Sequence, residues 1–193
     1  MNIDPEELFN CFIDNGVDFF TGVPDSTIKD FCFCLDEKSQ NGNHVIAANE
    51  GNALAIATGY YLSTAKIPLV YMQNSGFGNA LNPLTSLTDK KLFSIPMLVM
   101  VGWRGEPGTN DAIQHYKDGS IQIQLLDTLG LSYTVFPSED VSFEMLIKNS
   151  LDNAKLEESP HVILVKRNSF KKYDYISASD KKNLSISRER AIF

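Results

Sequence analysis

The segment AANEGNALAIA places one carboxylate, that of Glu50, between an apolar stretch and the apolar pattern of a helix. A carboxylate in apolar surroundings costs free energy unless it is hydrogen-bonded, paired or protonated. Glu50 is therefore either an acid favoured by the positive end of a helix dipole or a catalytic group that exchanges protons. Both interpretations predict a helix that begins at Glu50 and runs to Thr64.

Three further segments set polar residues directly after apolar ones. They are GVPDS with Asp25 and Ser26, QNSGFGN with Asn74, Ser75 and Gly76, and GWRGEPGTNDAIQHYKDG with Arg104, Gln114 and His115. Carboxylate and imidazole groups are common proton carriers in catalysis, and a guanidinium offers a fork of donors to an anion. A site that transfers protons beside a small anion would need these side-chain types.

Each of these side chains also has a purely structural interpretation. Asp25 or Ser26 can cap the helix that follows them. Arg104 can pair with Glu106 or Asp111 and so fix its own loop, and His115 can be an ordinary surface histidine. The local spacing leaves both kinds of interpretation open.

The elements that must position these segments alternate between strand and helix patterns. Strands are predicted over 17–21, 44–48, 67–73, 95–101, 132–136 and 161–166, with helices between them, among them 79–87, 120–129 and 140–156. Several strands are continuous apolar stretches, which is typical of a parallel sheet covered on both faces. The pattern therefore predicts an α/β fold, a doubly wound parallel sheet of about six strands with helices on both faces. Such sheets bind ligands beyond the carboxyl ends of their strands, where the polar segments lie.

The length of 193 residues fits one domain, predicted over residues 1–170. Residues 171–193 are polar and end in SISRERAIF, the pattern of a short capped helix, so they are predicted to be a linker or the start of a second domain. A frayed terminal tail is the alternative.

The charge and the apolar pattern exclude several partner classes. A net charge of −7 argues against nucleic acid as a partner. No apolar stretch is long enough to span a bilayer, and the acidic start MNIDPEEL does not resemble a signal peptide, so a cytoplasmic location without membrane contact is expected. Three cysteines within apolar patterns are expected to be reduced thiols of the core.

The sequence lacks the common phosphate and zinc motifs. There is no G-x-x-x-x-G-K-[ST] loop and no H-E-x-x-H pair, and GFGNAL lacks the third glycine of a dinucleotide fingerprint. We therefore expect neither a nucleotide-binding P-loop nor a zinc site in this chain.

The four polar segments together resemble one family. FFTGVPDS, AANEGNALAIATGYYLSTAK, VYMQNSGFGNALNPLTSL and IPMLVMVGWRGEPGTNDAIQH are similar to the N-terminal, pyrimidine-binding domain of thiamine-diphosphate-dependent decarboxylases. The likeness is greatest to the phosphonopyruvate decarboxylases, and the sulfopyruvate decarboxylases follow closely. It covers about residues 1–170.

The resemblance implies a role for each candidate residue. Glu50 would hydrogen-bond N1′ of the cofactor's aminopyrimidine and share a proton with it, while Asp25 and His115 would transfer protons at the substrate. The implied cofactor contacts are Glu50, Asn74, Ser75 and Gly76, and the implied substrate contacts are Arg104, Gln114 and Ser26.

The resemblance also implies a missing half of the site. The family binds Mg²⁺ and the diphosphate through a G-D-G motif in another domain, and no G-D-G occurs in this sequence. The metal and diphosphate site is thus expected outside this chain, in a C-terminal domain or a separate beta subunit, within a homo-oligomer or larger assembly.

The activity implied by the resemblance is that of a lyase in phosphonate biosynthesis, which converts 3-phosphonopyruvate to phosphonoacetaldehyde and CO2. The alternative enzyme is the alpha subunit of a sulfopyruvate decarboxylase. A catalytically silent domain that binds a partner or a nucleotide is the alternative of another class.

Overall fold

The computed structural model of the chain describes residues 2–39 and 42–175. Its centre is a sheet of six parallel strands in the order β2–β1–β3–β4–β6–β5. The strands are β1 (Phe20–Gly22), β2 (His44–Ile46), β3 (Leu69–Gln73), β4 (Leu98–Gly102), β5 (Tyr133–Phe136) and β6 (His161–Val165). The predicted six-stranded parallel α/β sheet is confirmed.

Six helices cover the two faces of this sheet. They are α1 (Pro5–Asp14), α2 (Lys29–Lys38), α3 (Glu50–Thr64), α4 (Phe77–Ser86), α5 (Tyr116–Leu129) and α6 (Phe143–Glu157). Buried residues of α1, α2 and α6 share one apolar core, and those of α3, α4 and α5 share the other. None of the helices in the described part of the chain is long and apolar enough to cross a membrane.

The central strands contribute side chains to both cores because successive side chains of a strand point to opposite faces of the sheet. In β3, Leu69 and Tyr71 belong to the core under α1, α2 and α6, whereas Val70 and Met72 belong to the other. The strands β4 and β6 are buried throughout and divide their side chains in the same way. This is why these segments read as continuous apolar stretches.

Helix α3 has the predicted bounds. Asn49 is its N-cap, with a side-chain oxygen that accepts a hydrogen bond of 2.9 Å from the backbone N–H of Asn52. The helix ends at Ala65, which adopts a left-handed backbone conformation. Glu50 is consequently the first helical residue, directly beyond the carboxyl end of β2.

Several helix starts differ from the prediction, among them those of α4, which begins at Phe77 instead of residue 79, and α6, which begins at Phe143 instead of residue 140. Asp25 and Ser26 do not cap α2, because the helix begins only at Lys29 and its N-cap, Ile28, provides no side-chain hydrogen bond. Helix α5 begins at Tyr116 instead of Ser120, since the short 3₁₀ turn Ile113–His115 leads directly into it.

The three cysteines are free thiols, as expected, but only two of them are buried. Cys32 and Cys34 lie in the core, while Cys11 is half-buried. Residues 176–193, which contain the predicted terminal helix, lie outside the described residues. The domain boundary at residue 170 therefore stays a prediction.

Candidate active site

The site lies where the winding of the sheet reverses direction. From β1 the chain moves outward to β2 and then returns to the other side of β1 to form β3. The loops after β1 and β3 therefore leave the sheet side by side, at the point where doubly wound sheets open a ligand crevice. The loop after β2, which starts α3, and the loop after β4 flank these two.

Glu50 is held by the loop after β3 and the first turn of α4. Its side chain is buried, and its Oε2 accepts a hydrogen bond of 2.8 Å from Nδ2 of Asn79. A Cβ on Gly76 would lie 2.0 Å from Oε1 of Glu50, so a larger residue there would force the carboxylate or the turn to shift. The carboxylate thus has a fixed orientation, with one amide donor and one glycine backbone beside it.

Asn74 joins the loop after β3 to the loop after β4. Its Nδ2 donates to the backbone carbonyl of Arg104 at 2.8 Å, and its Oδ1 accepts from the backbone N–H of Arg104 at 3.1 Å. We call this pair of bonds the Asn74 clasp. The neighbouring Ser75 is exposed, and its hydroxyl accepts a hydrogen bond from the side chain of Gln73.

Arg104 makes a two-pronged ion pair with Asp111 in its own loop. Its Nε and Nη2 donate to the two carboxylate oxygens at 2.8 and 2.6 Å, and its Nη1 donates to Oγ of Ser26 at 2.8 Å. The ion pair raises the pKa of Arg104 and lowers that of Asp111 well below its usual range. Of the two pairings left open by the sequence, the structure shows the one with Asp111.

Asp111 also receives backbone donors, which make it the organiser of its loop. The N–H groups of Gly105 and Ala112 donate to its two oxygens at 3.0 and 2.7 Å, and its side chain is 2% exposed. A buried carboxylate is tolerated when it is paired and hydrogen-bonded in this way. The long segment after β4 therefore has a defined shape.

Asp25 lies beneath these loops with one carboxylate oxygen unused. Its Oδ2 accepts a hydrogen bond of 2.9 Å from the backbone N–H of Thr27, while its Oδ1 is buried without a partner among the described residues. A Cβ on Gly102 would lie 2.0 Å from Oδ2, which shows how closely the end of β4 approaches. Burial raises the pKa of Asp25, and the bond to Thr27 and the charge of Arg104 oppose this. Such a carboxyl is suited to hold and pass a proton.

His115 and Gln114 lie on the 3₁₀ turn before α5, whose start packs against the turn Asn74–Gly76. His115 is half-buried and Gln114 is exposed, and neither side chain forms a hydrogen bond with a residue that the structure describes. The structure therefore brings their segment to the site and leaves both side chains available for a ligand.

These residues fit one part of an aminopyrimidine cofactor. A buried carboxylate with a fixed orientation beside a glycine can accept a ring N–H in a narrow cleft. In the described residues, no three His, Cys, Asp or Glu side chains cluster as metal ligands.

Three residues of the site carry no role in the sequence prediction. Asn79 belongs to the motif GFGNAL and is recognisable only once α4 is packed beside Glu50. Asp111 appears there only as a possible partner of Arg104. Arg167 lies two residues beyond the end of β6, and the rule that ligands bind beyond the carboxyl ends of strands could have identified it.

Comparison with known proteins identifies relatives of this chain. Residues 6–127 match the family described as thiamine pyrophosphate enzyme, N-terminal TPP binding domain. The sulfopyruvate decarboxylase subunit alpha of Methanococcus maripaludis is 31% identical over 160 residues, which is 83% of this chain and 92% of that protein. The phosphonopyruvate decarboxylase of Streptomyces viridochromogenes is 38% identical over 94 residues, 49% of this chain and 23% of that protein.

Solved structures show the same fold at lower sequence identity. The benzoylformate decarboxylase of Polynucleobacter necessarius superposes with a TM-score of 0.66 and 19% identity over 92% of this chain. The match covers 32% of that protein. The chain therefore spans most of one curated relative but only a quarter to a third of the longer proteins it resembles.

Proposed function

The chain belongs to the thiamine pyrophosphate enzymes as an N-terminal TPP binding domain, and on this premise we propose that it forms the pyrimidine-binding half of a 2-oxo acid decarboxylase. The observation that carries the proposal is the buried carboxylate of Glu50, oriented by Asn79 against the backbone of Gly76. When bound, thiamine diphosphate supplies the electron sink that allows a 2-oxo acid to lose CO2.

The protein side chains divide the remaining work. Glu50 holds a proton at the N1′ position of the aminopyrimidine. Asp25 exchanges a proton at the reacting carbon through its unpartnered Oδ1, and His115 serves as a second proton carrier above the substrate.

The remaining candidate residues bind the cofactor or the substrate. Ser75 and Gly76 border the cofactor, and Gln114 and Ser26 contact the substrate. Asn74 acts at the cofactor chiefly by holding its loop in place through the clasp.

The substrate that we propose first is 3-phosphonopyruvate, which would give phosphonoacetaldehyde and CO2 in phosphonate biosynthesis. The 38% identity to a phosphonopyruvate decarboxylase over 94 residues supports this choice. Sulfopyruvate is the second candidate, because a sulfopyruvate decarboxylase alpha subunit aligns along 92% of its own length. Both substrates are 2-oxo acids with a tetrahedral anion on the next carbon.

The second half of the site is proposed to come from another domain or a beta subunit. That half would bind Mg²⁺ and the diphosphate, since no G-D-G motif occurs in this sequence. Several relatives are named alpha subunits, which supports a partner of this kind. We propose a cytoplasmic assembly, a homo-oligomer or a larger complex.

The test is CO2 release by the complete protein, which means this chain with its diphosphate-binding half. The assay contains thiamine diphosphate and Mg²⁺ and compares 3-phosphonopyruvate, sulfopyruvate and pyruvate. We expect rapid CO2 release from 3-phosphonopyruvate and much slower release from pyruvate. Preference for sulfopyruvate would select the second candidate, and no CO2 from any of them despite bound cofactor would refute the proposal.

A further inference from the structure

A cavity of about 500 Å³ opens beside the candidate active site. It lies between the start of α2 and the segments that follow β4 and β6. Ser26, Thr27 and Arg104 form part of its wall, so it shares residues with the loop that holds Asp25. The hydroxyl of Thr27 is buried there without a hydrogen-bond partner among the described residues.

The wall of this cavity is strongly basic. Lys29, Arg104, Arg167 and Lys172 line it, and Asp30 is the one carboxylate among the lining residues that the structure describes. The local excess of positive charge contrasts with the net charge of −7 of the whole chain. A concave surface of this sign raises the local concentration of small anions.

Two of these four cations have a close carboxylate partner, and a third, Arg167, has a more distant one. Arg104 is paired with Asp111, and Lys172 lies 3.3 Å from Asp174. The acidic residue Asp30 is also engaged, because it accepts a hydrogen bond from the backbone N–H of Tyr173. These groups form part of the wall, but their existing partners leave them less able to bind a ligand.

Arg167 and Lys29 keep donors for a ligand. Arg167 uses Nη1 to donate to the backbone carbonyl of Asn110 at 2.6 Å, and the same atom lies 3.9 Å from Asp111. Within the described residues, no bond engages its Nε or Nη2, and Lys29 has no ion pair. A guanidinium anchored at one end presents its remaining N–H groups in a fixed fork, which suits a tetrahedral oxyanion.

We propose that Arg167, assisted by Lys29, binds the tetrahedral anionic head of the substrate, the phosphonate or sulfonate group, while the 2-oxo acid end reaches Asp25. This inference rests on the proposed function and names the residue that selects the substrate. Arg104 then becomes a positioning residue, because its side chain holds Ser26 and Asp111 in place. The donors that Arg167 and Lys29 keep for a ligand match the higher charge of a phosphonate better than that of a sulfonate.

The first test measures binding by titration calorimetry on the complete protein. The probes are 3-phosphonopropionate and 3-sulfopropionate, which lack the reactive keto group, and propionate as the probe without a tetrahedral head. The variants are Arg167→Ala, Arg167→Lys and Lys29→Ala, with Lys90→Ala as the matched control, since Lys90 pairs with Glu157 on the surface.

We expect Arg167→Ala to weaken binding of the phosphonate probe on the order of tenfold or more, with partial rescue in Arg167→Lys. The loss should be smaller for the sulfonate probe, and Lys90→Ala should bind both as the unchanged protein does. Equal affinity of the unchanged protein, Arg167→Ala and Lys29→Ala for the phosphonate probe would overturn the inference.

The second test separates this inference from the proposed function through steady-state kinetics. With 3-phosphonopyruvate, Arg167→Ala should raise KM and leave kcat within a few fold. A fall in kcat with unchanged KM would overturn the role in binding. Anion binding that depends on Arg167 in a protein that decarboxylates neither substrate would refute the proposed function and leave the anion site standing.

Discussion

At the scale of single residues, Glu50 and Asp25 are two buried carboxyl groups of the site that lie in different surroundings. Glu50 has an amide donor from Asn79, whereas Asp25 has a backbone donor on one oxygen and no partner on the other within the described chain. Groups whose environments differ in this way take different parts in proton transfer. Glu50 is accordingly proposed for the cofactor ring and Asp25 for the reacting carbon.

The substitution Glu50→Gln tests the first of these roles. We expect the fold to persist, because the amide fills the same volume, and CO2 release by the complete protein to fall by about 10²-fold or more. Circular dichroism and urea unfolding check the fold, and the CO2 assay checks turnover. The matched control is Glu144→Gln, an exposed acid that also lies in the first turn of a helix. Full turnover in Glu50→Gln would contradict the assigned role.

The sequence predicts the position of Glu50 well because the signals are local. A capping residue, an apolar helix pattern and the segment before it all indicate a helix start at that point. Asp25 shows where local signals fail. Its carboxylate was expected to cap α2, but it is drawn beneath the end of β4 and bonds to Thr27 instead. The bond to Thr27 is local, but the position of Asp25 beneath the end of β4 depends on the packing of segments far apart in the chain.

At the scale of elements, the site depends on two loops that fit closely against side chains from elsewhere. The turn Asn74–Gly76 lies against Glu50 on one side and is joined to Arg104 on the other. The order of strands, which brings β3 between β1 and β4, makes both contacts possible. The sequence predicts each strand but contains no local signal for this neighbourhood.

The substitution Gly76→Ala tests how tightly the turn fits. Since the new Cβ would lie 2.0 Å from Oε1 of Glu50, the turn or the carboxylate must move. We expect the free energy of unfolding to fall by about 1–3 kcal/mol and CO2 release to fall with it. Urea unfolding and the CO2 assay measure the two effects.

A matched control lies two residues further on. A Cβ on Gly78 would meet no atom within 4 Å, and this residue belongs to the first turn of α4. Gly78→Ala should therefore leave the stability unchanged or raise it by up to about 1 kcal/mol. Equal losses in the two variants would mean that the turn does not depend on close contact with Glu50.

The first residue of β6 makes the stability of the fold dependent on pH. His161 is buried, and the hydroxyl groups of Ser132 and Thr134 each lie 2.8 Å from one of its ring nitrogens. Burial lowers the pKa of His161 to about 4. In the unfolded chain a histidine has a pKa near 6.5, so the unfolded state takes up the proton first as the pH falls. The contribution of neutral His161 to the free energy of unfolding is therefore complete above about pH 6.5 and is lost as the pH falls toward 4.

The substitution His161→Asn removes this titration. Urea unfolding at pH 7.5 and pH 4.5 should show that the unchanged protein loses about 2 kcal/mol more stability than the variant over this range. His44 is half-buried with a lowered pKa, and the unchanged protein and the variant share its contribution to the pH dependence. Identical pH dependence in the two proteins would contradict the role of His161.

At the scale of the whole molecule, the two helical layers differ in surface chemistry. Helix α6 carries several exposed charged residues. Helices α3 and α4 together contain a single charged residue, the buried Glu50. Leu62 of α3 is 66% exposed. This uncharged surface begins at the candidate site, where the diphosphate-binding half would have to approach. Depletion of charged residues is typical of the centre of a protein interface.

The substitution Ala55→Arg tests this surface, because Ala55 lies exposed in the middle of α3. We expect the chain to keep its fold and to lose association with the diphosphate-binding half by at least tenfold, since a buried unpaired charge is costly. Size-exclusion chromatography with light scattering measures the assembly. The control is Leu156→Arg on α6, where the side chain is 80% exposed. An unaffected assembly in Ala55→Arg would exclude this surface.

The Asn74 clasp has a consequence for the time course of assembly. Because Asn74 and Asp111 already fix the loops after β3 and β4, one side of the active site has its final shape before the other side arrives. Where the diphosphate-binding half is a separate subunit, its binding does not require these loops to rearrange first. Association should then follow one second-order phase at about 10⁵–10⁷ M⁻¹ s⁻¹, and a variant without the clasp should add a slower phase whose rate is independent of concentration.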